Sequence, residues 1–315
     1  MALKGLSDIQ NERFARLELQ LKKSVRDGDI RAAKNITADI QEILRKSGYS
    51  TRLMQIKNWL YEAAVEAGDY EFAIDGLKAV KNIAAKNTRI NLEATALLAI
   101  AYLRKNDYKN AEPVIAEVLK NDKVIKSDFK RAQFRKEIIE RFENEVILSS
   151  LKNTGRETLN IDDIQTMAVS QSQQSSEKEM YNYIGSSIPQ NVISSLYRID
   201  SFSKNQLPTA ERLKLPSPEQ TISHNEVGKN FFSSIKRILY KSLCDPASDI
   251  YKVWFNEGMK IVLNKKYIAS AVLSMFINLG IGIKALAVSV IALIIKFGIE
   301  VYCDRYRPTG IMEMR

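Results

Sequence analysis

The chain has 315 residues, 45% hydrophobic and 27% charged, with 47 Lys and Arg against 37 Asp and Glu for a net charge of +10. That length leaves room for two domains, the apolar content excludes a wholly disordered chain, and the positive excess points to acidic partners. A lone histidine, His224, and two cysteines, Cys244 and Cys303, supply no nucleophilic triad, histidine-based metal site or disulfide framework, so the chain reads as non-enzymatic, without cofactor or metal.

The opening stretch to Asp29 is charged throughout and lacks the apolar core of a secretory signal, so the polar part of the chain is expected in the cytoplasm. A pattern then recurs. Gly28-Asp29-Ile30 with Ala33, Gly68-Asp69-Tyr70 with Ala73, and Asn106-Asp107-Tyr108 with Ala111 repeat with 40 and 38 residues between the alanines. The chain here resembles tetratricopeptide-type helical repeats, in which one helix ends in a short turn and the next begins, with a small residue where the two cross. The resemblance implies an all-α solenoid over about Glu18 to Asp122 with Leu60, Ala64, Leu77, Val80, Ala99, Tyr102, Ile115 and Val118 buried. The spacing exceeds that family's usual 34 or so, and no proline closes each unit. Helical spacing of Phe134, Ile138, Ile139, Phe142 and Val146 predicts a capping helix over Phe129 to Leu151, so the first domain is read as 1–154.

Two basic clusters stand out in this half. Lys126, Lys130, Arg131, Arg135 and Lys136 interleave with Phe129 and Phe134, and Lys78, Lys81, Lys86 and Arg89 form a second group. Cations hold phosphates and aromatic faces stack bases, so both are candidate sites for a polyanion such as a single-stranded oligonucleotide; a solvated helix face and an acidic protein partner are the alternatives.

From Gly155 to Gly228 the composition turns to Ser, Gln and Asn with Pro189, Pro208, Pro216 and Pro218, which predicts a linker with short helices such as Val192 to Ile199. Amphipathic helices with basic faces are expected over 229–266, at Phe231 to Leu243 and Ile250 to Leu263, and suit a membrane surface or ordinary packing.

Tyr267 to Ile299 is apolar except for Lys284 and Lys296 and a few small polar residues. At about 1.5 Å per residue it would exceed a hydrocarbon core of about 30 Å, so it must bend, and Gly280 and Gly282 mark the break. The expectation is a membrane hairpin over 267–303 followed by a tail at 304–315. Eight Lys and Arg against three acids between Lys229 and Lys266 would keep both flanks on the cytoplasmic side. One tilted span, or a buried hairpin in a protein core, is the other arrangement. Ser270, Ser274, Asn278 and Gly282 recur every fourth residue, and Ser289 and Lys296 mark a similar stripe beyond Lys284. Such stripes suit helix contact within one chain or the lining of an oligomeric pore. Cys303, at the end of the run, reads as a buried thiol.

A helical sensor followed by an apolar hairpin, with Cys303, Pro308, Ile311 and Met312 in the tail, resembles bacterial antiphage abortive-infection membrane effectors, among them the Hailong type. That resemblance implies an ion channel in the bacterial inner membrane, a homo-oligomer gated by DNA oligomers that a partner nucleotidyltransferase makes. The competing expectation is a tail-anchored scaffold whose repeats recruit a protein, and a third is an adaptor with a buried apolar hairpin.

Overall fold

The computed structural model describes residues 5–213, 223–245, 248, 251–252, 265–306 and 310–314, and the described residues are helical, with no strand among them. They form two compact units, residues 1–138 with 309–315, and residues 139–308.

The first unit is a run of helix pairs: α1 (Asp8–Asp27) with α2 (Ile30–Lys46), α3 (Ser50–Ala67) with α4 (Tyr70–Ile83), and α5 (Arg89–Arg104) with α6 (Tyr108–Lys120). Each pair turns on the recurring motif. Gly28, Gly68 and Asn106 take φ of 66°, 83° and 57°, the left-handed conformation that glycine and asparagine tolerate best. The next residue, Asp29, Asp69 or Asp107, donates its N–H to the carbonyl of Ser24, Ala64 or Tyr102, which satisfies an orphan carbonyl of the preceding helix. Four residues on, Ala33, Ala73 and Ala111 are completely buried, because a larger side chain would hold the paired helices apart. α5 lies innermost, with every residue from Asn91 to Leu103 buried. A 3-10 turn (Asp122–Val124) follows, and the first half of α7 (Asp128–Leu151) completes the unit.

The second unit holds the rest of α7, then α8 (Ile161–Gln174), α9 (Glu177–Ser186), α10 (Gln190–Asn205), α11 (Thr209–Arg212), α12 (His224–Cys244), α13 (Lys265–Leu279), α14 (Lys284–Phe297) and α15 (Ile299–Arg305). Much of the stretch read as a linker over 155–228 is therefore packed structure. Polar and charged residues make up most of its outer faces, while Ile164, Ala168, Met180, Ile184, Val192 and Ile199 are fully buried at helical spacing. α9 and α12 cross in backbone contact: a Cβ on Gly185 would stand 1.8 Å from the His224 carbonyl oxygen, and one on Gly228 would stand 1.9 Å from that of Tyr181. Phe232 of α12 gathers Tyr181, Phe297, Tyr302 and Tyr306 around it, with ring centroids 5.9–6.2 Å away. The amphipathic helix expected at Ile250 to Leu263 lies almost wholly outside the described residues.

The apolar run forms α13 and α14, broken at Gly280 to Gly282. The break is stitched to the loop after α7, where Gly282 N–H donates to Thr154 O at 2.8 Å and Glu157 N–H donates to Gly282 O at 3.0 Å. α14 packs against α8, α9, α13 and α15, and Leu286 to Ile294 is buried without interruption. A helix that is apolar on every face needs apolar surroundings, and here neighbouring helices provide them. Among the described residues no single helix is long and apolar enough to cross a membrane; α14 and α15 reach that length and hydropathy only together, bent by 92°. Cys303 is not a free thiol: it is disulfide-bonded to Cys244, 59 residues away, with the Cα atoms 5.5 Å apart. The pairing follows from α15 packing against α12, a contact invisible in the sequence spacing.

Candidate functional site

An unusual contact in the first unit centres on Glu62 of α3. Its neighbours Trp59, Leu60, Tyr61, Ala63, Ala64 and Val65 are all buried, and Glu62 itself is 1% exposed. A carboxylate in such a place needs hydrogen-bond donors. They come from residues 310–314, which form a 3-10 turn over Ile311–Glu313, where Ile311 N–H donates to Glu62 Oε1 at 2.6 Å and Met312 N–H donates to Oε2 at 3.4 Å. The Ile311 and Met312 side chains are each 1% exposed, wedged between α3 and α5. Two arginines hold the flanks. Arg26 pairs with Glu313 at 2.6 Å, and Arg89 donates to the Met314 carbonyl. Gly310 approaches closely, and a Cβ there would lie 2.8 Å from Glu62 Oε1, so the carboxylate would have to shift. The tail is thus read mainly through its backbone N–H groups, with two apolar side chains and one acid as the sequence-dependent contacts.

Beyond Met314 the groove opens into a cavity of about 230 Å³ lined by Arg89, Ile125, Lys130, Gln133, Phe134, Glu137, Glu313 and Met314. The Arg89 guanidinium lies 5.3 Å from the centroid of the Phe134 ring. Two residues from separate predicted basic clusters, Arg89 and Lys130, therefore meet at one cavity.

The other predicted cations do not converge there. Arg135 is buried in an ion pair with Asp122, and Arg131 donates to the Ile125 carbonyl at 3.0 and 3.1 Å. Lys81 pairs with Glu117 at 2.7 Å, and Lys78 sits 5.9 Å above the Tyr102 ring. Lys86, Lys126 and Lys136 are exposed on the surface.

The polar stripes of the apolar run separate in the same way. Ser274 and Asn278 lie exposed on α13, with Ser270 half-buried. Gly282 is taken up by the break, and Lys284 donates its backbone N–H to Glu157 at 2.6 Å. Ser289 is buried and exchanges hydrogen bonds with Gln171, while Lys296 donates to the Ser175 carbonyl at 2.7 Å at the end of α8. Ser289 and Lys296 of the second stripe are thus bonded to α8, while Ser274 and Asn278 of the first stay exposed.

A smaller cavity, about 170 Å³, lies in the second unit, lined in part by Glu143, Asp200, Lys204, Asn230, Ile193 and Leu196. Burial, and then a hydrogen bond with Asp200, push the Glu143 carboxyl well above the ordinary range. Lys204 pairs with Asp200 at 2.6 Å.

Sequence reasoning missed Glu62, Arg26 and Gly310. The signal was slight: Glu62 is the one charge between Leu60 and Val65, two residues from Leu60 and Ala64 and so on the opposite side of α3 from the face that the repeat pattern assigns to the core. No protein-family model matches this chain, and no curated protein or solved structure does.

Proposed function

We propose that this chain is a non-catalytic helical scaffold that recruits a protein partner by holding a short turn of it between α3 and α5, as it holds its own residues 310–314. The observation that carries this reading is the Glu62 carboxylate accepting two successive backbone N–H groups at the start of a buried 3-10 turn, Ile311–Glu313. A carboxylate that caps the free N–H groups at the start of a turn supplies main-chain affinity, and adjoining side-chain contacts choose among segments. The test is a fluorescence-anisotropy titration of a labelled peptide with the sequence of residues 309–315 onto the full chain carrying Ile311→Ser and Met312→Ser, which vacates the groove. Saturable binding that Glu62→Ala weakens at least tenfold is expected; no binding overturns the reading.

A second reading is a membrane effector, and the bent α14–α15 pair favours it by length and hydropathy. In that case the hairpin leaves its protein surroundings to enter lipid, and full-length chain would resist carbonate extraction from membranes. Quantitative release by carbonate removes this reading.

A further inference from the structure

We propose that the Cys244–Cys303 bridge is a thiol-operated latch that holds the α14–α15 pair bent, and that a dithiol reductant frees the pair to straighten into one membrane-spanning helix. The proposal rests on the membrane-effector reading above and adds its regulation.

The bend sits at one residue. Gly298 takes φ 78° and ψ 141°, a backbone conformation open essentially to glycine, and α14 and α15 meet there at 92°. A Cβ on Gly298 would meet nothing within 4 Å, so the glycine serves the bend and not a close packing contact. Glycine also enters the helical region without steric cost, so the same residue permits a straight continuation. Straightened, Ala285 to Cys303 would run to about 28 Å at about 1.5 Å per residue, close to a hydrocarbon core of about 30 Å.

The charges change partners in the same step. Lys296 and Glu300 are the only charged residues from Ala285 to Cys303. Across the bend, Lys296 donates to the Ser175 carbonyl at 2.7 Å, and Glu300 is exposed. On a continuous helix the two stand four residues apart on one face and pair with each other, as charges inside a bilayer do.

The bridge opposes that movement. Cys303 lies about 7.5 Å along α15 from Gly298, so opening the 92° bend carries it about 11 Å off α12, against which α15 packs. The Cα atoms of Cys244 and Cys303 are 5.5 Å apart, and a disulfide tolerates a separation of no more than about 7 Å. Other holds on α15, such as buried Ile299 and the Tyr302 hydroxyl donating to the Lys236 carbonyl at 3.2 Å, are noncovalent. Reduction runs through Cys303, which is half-buried, whereas Cys244 is 7% exposed. One thiolate of the dithiol attacks the Cys303 sulfur, the S–S bond breaks and Cys244 leaves as a thiolate. The reductant's second thiolate then displaces Cys303 and closes the reductant's own disulfide. Two electrons pass from the dithiol to the bridge, and its two protons restore both cysteine thiols.

The experiment floats the full chain, oxidised or treated with dithiothreitol, on a density gradient with vesicles of phosphatidylethanolamine and phosphatidylglycerol, followed by a carbonate wash. The reduced chain is expected to remain with the vesicles at least tenfold more than the oxidised chain. Gly298→Ala penalises the bend and disturbs no packing, so once reduced it should reach half-maximal insertion at roughly fivefold less lipid than wild type. A reduced chain that had merely unfolded would be indifferent to residue 298, so equal behaviour of Gly298→Ala and wild type overturns the hinge. Equal carbonate-resistant flotation of oxidised and reduced chain overturns the latch and leaves the membrane reading standing. Binding that appears on reduction and washes away in carbonate overturns the straightened span. Absence of flotation in every state overturns the membrane reading together with the latch.

Discussion

The Glu62 carboxylate accepts the backbone N–H of Ile311, 249 residues further along the chain, at 2.6 Å. A charged acceptor roughly doubles the strength of such a bond, and removing it leaves two N–H groups in an apolar cleft. Glu62→Ala is expected to cost about 1–3 kcal/mol of tail seating. Gly310→Ala should act in the same direction through its contact with the carboxylate. Amide exchange at Ile311 and Met312 reads both, and full protection in either variant contradicts the account.

The crossing of α9 and α12 makes a sharper demand. A methyl group on Gly185 or Gly228 would enter a backbone carbonyl, which cannot swing aside as a side-chain tip can. Each glycine-to-alanine change should destabilise the second unit by about 1–3 kcal/mol or more, against the usual gain from alanine in a helix. Chemical denaturation of the two variants beside wild type checks this.

Glu143 gives the second unit a pH dependence. Its folded pKa is raised, chiefly by burial, so above the ordinary carboxylate range the folded state retains a proton that the unfolded chain has lost. Its contribution to stability is complete below about pH 4 and declines as pH rises toward the folded pKa. Glu143→Gln mimics the protonated form and is expected to flatten that decline. Urea midpoints measured from pH 4 upward decide; parallel curves for wild type and variant rule it out.

Reducing the bridge between Cys244 and Cys303 frees a loop of 59 residues, which on loop-closure grounds is worth roughly 4 kcal/mol. Thermal unfolding with and without a thiol reductant should show the loss, and a Cys244→Ser, Cys303→Ser chain should match the reduced protein. Reductant-insensitive unfolding of the second unit would contradict it.

Charge changes on the basic clusters should divide by burial. Arg135→Ala leaves Asp122 buried without its partner and is expected to cost about 3–5 kcal/mol. Lys126→Glu and Lys136→Glu, both exposed, should stay within about 0.5 kcal/mol. The exposed lysines therefore test polyanion binding more cleanly than the buried Arg135. If single-stranded DNA binds there, the two reversals together lower the slope of log affinity against log salt by about 1–2.

The helical pairs were legible because their signal is local. Gly28, Gly68 and Asn106, each followed by Asp and, four residues later, by Ala, encode a turn and a close crossing within six residues. The break at Gly280 to Gly282 was legible for the same reason. Burial of α14 was not: Leu286 to Ile294 reads alike whether lipid or neighbouring helices surround it, and only the partners distinguish the two. The polar look of 155–228 hid a helical core because runs of Ser and Gln such as 170–176, and four prolines, mask the helical spacing of Ile164, Ala168, Met180 and Ile184. Tail seating depends on one carboxylate meeting a turn far along the chain, which no short window of sequence contains.

The bridge from α12 to α15 has a mechanical consequence. Pulled by its ends, the oxidised chain cannot extend the 59 residues between Cys244 and Cys303, so at about 3.6 Å per residue some 200 Å of contour length stays hidden under load. The whole apolar hairpin lies inside that closed ring. Force applied from outside bypasses α13 and α14 until a thiol opens the loop, so the most hydrophobic stretch of the molecule is the part that tension reaches last.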